Sequence, residues 1–309
     1  MKILLKTLKR IGITLLVLVV GFVITVSLRQ NLTYEAPYPD IKASKDSSVI
    51  AHGKDLALGP AHCASCHSTA NADSLIALGQ EVPLSGGFEF KIPPVATIYS
   101  PNITSDSTHG IGKRTDGEIA RALRYGVRAD GTAMFDFMPF HNVSDEDLTA
   151  IVSYVRSLKP VNKPRKQHEI EPMGRIIKAF MVEPVWPSEK IQKSVKVDTT
   201  AEYGRYLAHN VANCVGCHTR RGLAGGYTGE QFAGGNKMGE LITPNITPDS
   251  SSRIYGWSEE AFIARLKGGK VIPQSEMPWN SFKRMNDNQL KAIYRYLQTV
   301  KPAKMPKEG

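Results

Sequence analysis

Hydrophobic positions change their spacing along the chain. From Ile11 to Leu28, 18 consecutive residues carry no charge and are mostly Leu, Val and Ile, interrupted only by small or hydroxyl residues. A bilayer core about 30 Å thick needs roughly 20 apolar residues in a helix. Extended by Leu4 and Leu5, the stretch is just long enough and predicts a membrane helix within residues 1–28. Further on, apolar residues recur every three or four positions. Ile119, Leu123 and Val127 follow Thr115-Asp116-Gly117-Glu118, a capping-box pattern. Ser144-Asp145-Glu146-Asp147 caps another helix, with Leu148, Ile151, Val152, Val155 and Leu158 on one face before Lys159-Pro160 stops it. Leu290, Ile293, Tyr294, Leu297 and Val300 form the same stripe near the C-terminus. No strand-rich segment stands out and no β-α alternation occurs, so the expected fold class is all-α.

The helical pattern is written twice. Gly53 lies ten residues before Cys63, and Gly204 ten before Cys214. Cys63-Ala-Ser-Cys66-His67 recurs as Cys214-Val-Gly-Cys217-His218, and Ser100-Pro101-Asn102-Ile103-Thr104 as Thr243-Pro244-Asn245-Ile246-Thr247. An offset of 143 carries Thr115 onto Ser258, Leu123 onto Leu266 and Gly126 onto Gly269. After a four-residue deletion, Met138-Pro139 matches Met277-Pro278, and Ala150-Ile151 to Lys159-Pro160 matches Ala292-Ile293 to Lys301-Pro302. Ordered matches of this kind mark an internal duplication. The expected division is an anchor at 1–28, a spacer at 29–45 lifting the first domain off the membrane, domains at 46–160 and 196–302, a linker at 161–195 and a tail at 303–309. Pro164, Pro172, Pro184 and Pro187 among many charges support the linker, with a short helix near Ile176 to Met181.

Composition adds compartment and excludes one class of partner. The 309 residues suit two domains. Their formal charge of +10 includes Lys2, Lys6, Lys9 and Arg10 in a ten-residue head without an acid, which leaves +6 for the rest. That excess does not mark a nucleic-acid binder. Four cations before the apolar stretch and only Arg29 after it put the head in the cytoplasm and residues 30–309 outside, by the positive-inside rule. The alternative is a cleaved signal peptide, but its nearest cleavage site, Thr25-Val26-Ser27, is poor. Either way the body of the chain is exported.

All four cysteines belong to the two C-x-x-C-H motifs. This is the attachment signature of c-type haem, in which two thiols bond the porphyrin and the histidine ligates iron. One helical turn puts both sulfurs and the imidazole on the same side. Zinc would need two further ligands per site, and a disulfide oxidoreductase needs neither the histidine nor a repeat. The expected cofactors are therefore two covalent haems, bound by Cys63, Cys66 and His67 and by Cys214, Cys217 and His218. The sixth iron ligand decides what each haem does. No histidine follows His218, and among the later methionines only Met277 has a counterpart in the first copy, Met138. Met138 and Met277 are the candidate ligands, 71 residues past His67 and 59 past His218, with Met134, His109 and His141 competing in the first copy. His52, His62, His168 and His209 read as surface or packing residues, and Arg124, Arg128, Lys267 and Lys270 as solvating helix ends.

At these residues the sequence resembles the cytochrome c subunits of membrane-bound alcohol and gluconate dehydrogenases and their di-haem relatives. The likeness rests on Pro-Asn-Ile-Thr, Gly-Ile-Gly, a capped helix, a glycine and Met-Pro, and covers roughly residues 48–160 and 196–302. It implies two tandem class I cytochrome c domains, ligation by His67 with Met138 and by His218 with Met277, and electron transfer. Trp257 fits a family tryptophan that Arg114 replaces in the first copy, and no proline stands between His218 and Pro244. The expected function is a membrane-anchored relay without catalysis. Its donor would be a dehydrogenase or quinol-oxidising complex, its acceptor a terminal oxidase or soluble carrier. The rival is a di-haem peroxidase with one open iron, for which His109, His141 and Asp136 are the acid-base candidates.

Overall fold

In the computed structural model, residues 2–222 and 226–306 are described. Helix α1 (Lys2–Arg29) leaves its apolar side chains exposed, Val26 alone among them being buried. The first repeat contains α2 (Ser47–Leu58), α3 (Cys63–His67), α4 (Ala72–Ala77), strands β1 (Glu89–Ile92) and β2 (Ala96–Tyr99), α5 (Asp116–Tyr125) and α6 (Asp145–Ser157). Strand β3 (Glu169–Ile170) and α7 (Pro172–Phe180) follow. The second repeat contains α8 (Ala201–Tyr206), running into a π-turn at Leu207–Val211, then α9 (Cys214–His218), strands β4 (Lys237–Met238) and β5 (Leu241–Ile242), α10 (Glu259–Lys267), α11 (Trp279–Phe282) and α12 (Asp287–Leu297).

Local signals place the helices as read. Thr115 and Glu118 close a reciprocal capping box on α5, and Ser144, Ser258 and Asn286 cap α6, α10 and α12. The apolar stripe of α6 is buried throughout, from Leu148 to Leu158. Each repeat is built on one helix crossing whose backbones touch. A Cβ on Gly53 of α2 would lie 1.9 Å from the Ala150 carbonyl oxygen of α6, and one on Gly204 of α8 would lie 1.9 Å from that of Ala292 on α12. Glycine ten residues before each first cysteine is thus a packing requirement. One apolar core runs through both repeats, joining Leu56, Leu148 and Ile151 to Leu207, Leu290 and Ile293.

The structure adds detail to three expectations. The chain is helix-rich, and short strands stand beside the helices. β1 pairs antiparallel with β2, β3 adds to the other edge of β2 through Ala96 opposite Ile170, and β4 pairs with β5. The segment read as a spacer is fastened along the first repeat. Tyr34 donates its N–H to Gly131 O, Ala43 N–H to the Asp116 carboxylate and Ser44 N–H to Ser153 Oγ, while Ile41 is buried. The segment read as a linker is docked as well. It supplies β3, and its Gln192 and Lys193 carbonyls accept from Asp145 and Glu146 N–H at the start of α6. Its helix, α7, begins four residues earlier than Ile176.

Candidate haem sites

The two C-x-x-C-H motifs form α3 and α9, each a five-residue helix in which residues i, i+3 and i+4 share one side. The chain enters both from a left-handed residue, His62 at φ 40° and Asn213 at φ 50°. Such a conformation is uncommon outside glycine. Its repetition at the same place means the turn is built to aim the helix. The His67 Nδ1–H donates to Pro101 O at 2.9 Å, and the His218 Nδ1–H to Pro244 O at 2.8 Å. This bond fixes the tautomer and leaves Nε2 with its lone pair, and nothing among the described residues hydrogen-bonds Nε2 of either ring.

The Pro-Asn-Ile-Thr motif explains how that carbonyl is held. Asn102 Oδ1 accepts from Thr104 N–H at 3.0 Å and Oγ1–H at 2.8 Å, and its amide donates to Val161 O at 2.7 Å. Asn245 repeats this with Thr247 and with Ala303 O at 2.6 Å. All four side chains are buried. The motif thus ties the histidine-orienting carbonyl to the chain leaving α6 or α12. Pro244 also fills the place for which no proline was found after His218: it is the residue that orients the ring.

Two glycine pairs escape the sequence reading. Gly86 and Gly234 donate their N–H groups to His67 O and His218 O, both at 2.7 Å. Their φ angles are +69° and +76°, and a Cβ would come 2.4 Å from the Pro101 carbonyl carbon and 2.3 Å from Thr243 O. Only glycine fits there. The available signal was Gly86-Gly87 recurring as Gly234-Gly235 between the haem motif and Pro-Asn-Ile-Thr.

Electrostatics separate the haem reading from its rivals. Burial pushes the Cys63 and Cys214 thiols up to about 12 and Cys66 to about 11, and raises Cys217 as well. Redox-active Cys-x-x-Cys pairs show the opposite shift. Among the described residues no group of three or more His, Cys, Asp or Glu is placed to hold a metal ion. Burial also lowers the pKa of His67 and His218 against the opposing Pro101 and Pro244 hydrogen bonds, favouring the neutral imidazole that ligates metal. Half-buried thiols and an oriented, half-free imidazole on one helical turn fit a covalent haem.

Met138 and Met277 are half-buried and pack against the same core as Cys63 and Cys214. Each heads an equivalent turn, its carbonyl accepting from the N–H two residues on, Phe140 at 2.8 Å and Trp279 at 2.7 Å. Met134 instead donates its N–H to Gly126 O beside the Val127–Ala133 bridge. His141 has both nitrogens engaged, Nδ1 with Arg124 O at 2.8 Å and Nε2 with Asp136 at 3.0 Å. His109 lies in the Asp106 turn, its N–H donated to that carboxylate. His62 packs edge-on against Phe282, and burial lowers its pKa to about 4. His52 pairs with Asp147, His168 accepts from Tyr99 N–H, and His209 meets Tyr296 Oη at 2.7 Å. The cations do not all solvate helix ends. Arg124 is 2% exposed and paired with Asp145 at 3.0 Å, Arg128 donates to Ala133 O, and Lys267 to Met285 O.

The sites adjoin. Ser281 and Phe282, just past Met277-Pro278, contact Ser65 and His62 at the first motif. Lys283 and Arg284 both pair with Asp73, and Arg284 also donates to Leu58 O.

Residues 50–159 and 201–301 match the family model described as Cytochrome c. The chain is similar to the fructose dehydrogenase cytochrome subunit of Gluconobacter japonicus, 32% identical over 284 residues, 87% of this chain and 56% of that protein. With the cytochrome c subunit of the quinone alcohol dehydrogenase of Gluconobacter oxydans it shares 30% identity, over 82% of this chain and 55% of that subunit. It thus spans little more than half the length of these relatives. A diheme cytochrome c-type protein of Cereibacter sphaeroides is 30% identical over 77% of this chain and 81% of its own.

Proposed function

We propose that this chain, which belongs to the cytochrome c family, binds two covalent haems and relays single electrons between redox proteins at the outer face of a cytoplasmic membrane. One observation carries the reading: a complete cradle occurs twice, with a C-x-x-C-H turn, a buried histidine bonded through Nδ1 to a Pro-Asn-Ile-Thr carbonyl, and a later Met-Pro turn on the same core. Bound haem supplies reversible one-electron ferric–ferrous chemistry. Cys63, Cys66, Cys214 and Cys217 would tether it through thioethers. His67 and His218 would ligate through Nε2. Met138 and Met277 would close the opposite side with a soft sulfur, which raises the potential and excludes substrates. The contact of Phe282 and Ser281 with the first motif supports transfer between the two sites within the chain.

The relatives named as dehydrogenase cytochrome subunits favour a dehydrogenase as donor. A quinol-oxidising complex is the other donor, and a terminal oxidase or soluble carrier the acceptor. Helix α1 would anchor the chain, its 28 residues being long and apolar enough to cross a bilayer. The peroxidase reading would need His141 released from Arg124 O and Asp136, which hold its two nitrogens. The test is Met138→Ala and Met277→Ala, made separately in the haem-loaded protein. Each should remove about half of the near-infrared sulfur-to-ferric-iron band and lower one of two potentials. Unchanged bands and potentials in both variants would overturn the ligand assignment.

A further inference from the structure

Helix α7 carries an apolar stripe that the protein covers only in part. Met173, Ile176, Ile177 and Phe180 share one face at helical spacing. Met173 and Phe180 are 50% and 42% exposed, as is Met181 at 50%, while Ile176 and Ile177 are only half-buried. A soluble surface rarely leaves such a stripe without a partner.

Its position identifies the partner. The Phe180 ring stacks on Phe22 of α1, with centroids 6.3 Å apart and planes 12° apart. Arg29 donates through Nε to Ala179 O and lies over the Phe180 ring at 5.2 Å, and Lys178 Nζ reaches Asn31 Oδ1 at 3.3 Å. Phe22 stands six residues before Leu28, the end of the uncharged stretch, so it lies about 9 Å along the helix from that end at 1.5 Å per residue. If α1 crosses the membrane, Phe180 sits at the level of the acyl chains, and Arg29 and Lys178 lie close to the phosphates. The Phe22–Phe180 stack joins the apolar surface of α1 to that of α7.

We propose that α7 lies in the outer membrane interface, with Met173, Ile176, Ile177 and Phe180 immersed in lipid, as a second membrane contact that orients the first haem domain. This rests on the anchoring role of α1. An amphipathic helix with cations beside its apolar face buries that face about 5–10 Å into the headgroup–acyl boundary. Attachment to the domain is stiff: a Cβ on Gly174 would lie 2.1 Å from Val95 O in the β1–β2 turn, and β3, just before α7, pairs with β2. A helix held in lipid and clamped to this sheet fixes the attitude of the first C-x-x-C-H turn toward the membrane.

The test is photolabelling of the full haem-loaded chain in phospholipid vesicles with an apolar diazirine confined to the bilayer, read by peptide mass spectrometry. Residues 173–181 should be labelled within about threefold of residues 11–28 per residue, and at least about tenfold above the loop around exposed Tyr255 in the second repeat. Met173→Lys should cut labelling of 173–181 by about fivefold without changing that of 11–28. Labelled 11–28 with 173–181 no higher than the Tyr255 loop would overturn the proposal while leaving the anchor intact, freeing the stripe for a protein subunit. Labelling of neither segment would overturn both the proposal and the anchor.

Discussion

Gly53→Ala and Gly204→Ala test the packing on which both haem sites rest. At a free position in a helix interior, alanine is better than glycine by about 1 kcal/mol. At these two positions the added methyl group would meet backbone, 1.9 Å from Ala150 O or Ala292 O, where ordinary contact begins at 3.4 Å. The helices must separate by about 1.5 Å, and a carbonyl in mid-helix cannot rotate away as a side chain would. Leu56, Leu148, Ile151 and Val152 lie in the core that must give in the first repeat, and Leu207, Leu290 and Ile293 in the second. Overpacking of a well-filled core costs about 1–3 kcal/mol. The upper end applies here, so after the propensity gain each variant should lose about 2 kcal/mol. At about 2–4 °C per kcal/mol for a cooperative unit of more than 150 residues, as the shared core implies, Tm should fall by about 4–8 °C in calorimetry of the haem-loaded protein. Gly226→Ala, with nothing within 4 Å of the new methyl group, should change Tm little. A Tm raised or unmoved in Gly53→Ala and Gly204→Ala would refute the crossing geometry.

Other outcomes follow from the same contacts. Asp73→Asn removes the carboxylate shared by Lys283 and Arg284 across the repeats. It should cost roughly 1–2 kcal/mol in urea unfolding at low salt, with the gap to wild type shrinking near ~1 M salt. Asn102→Ala and Asn245→Ala leave the buried Thr104 or Thr247 N–H without its acceptor and free the histidine-orienting proline, at about 1–3 kcal/mol each in the same assay. Burial, reinforced by Arg165, Arg128 and Lys178, lowers the pKa of His168 to about 4, and its Nδ1 accepts from Tyr99 N–H. A histidine depressed in the folded state contributes stability that is complete above the unfolded pKa of about 6.5 and is lost as pH falls toward 4. Wild type should therefore lose stability from pH 7 to pH 4.5 more steeply than His168→Gln, and equal slopes would contradict this role.

Chemistry was more legible in this sequence than the connections that hold it. The C-x-x-C-H motifs, the capping residues Thr115 and Ser144 and the stripe of α6 are local signals, each decided within a few residues, and the structure follows them. Gly53 and Gly204 were visible as repeats, although their reason, a carbonyl on another helix about 90 residues away, was not. The strands were missed because their pairing is long-range and short: β3 is two residues that join β2 more than 70 positions earlier. Residues 29–45 and 161–195 read as tethers because proline and charge dominate them, yet single backbone bonds, such as Tyr34 N–H to Gly131 O, hold them to the first repeat. Arg124 was read as solvated from its place at a helix end, but Asp145, at the start of another helix, keeps it buried. The role of Pro101 and Pro244 lies in a carbonyl, which a side-chain pattern does not record.

The central claim is two closed haems that only pass electrons, and its most direct test is a redox titration of the purified, haem-loaded chain followed by its optical spectrum into the near infrared. The account predicts two low-spin haems, both with the sulfur-to-ferric-iron band when oxidised and both unreactive toward carbon monoxide and peroxide. A high-spin component, or one haem that binds carbon monoxide and turns over peroxide, would contradict it.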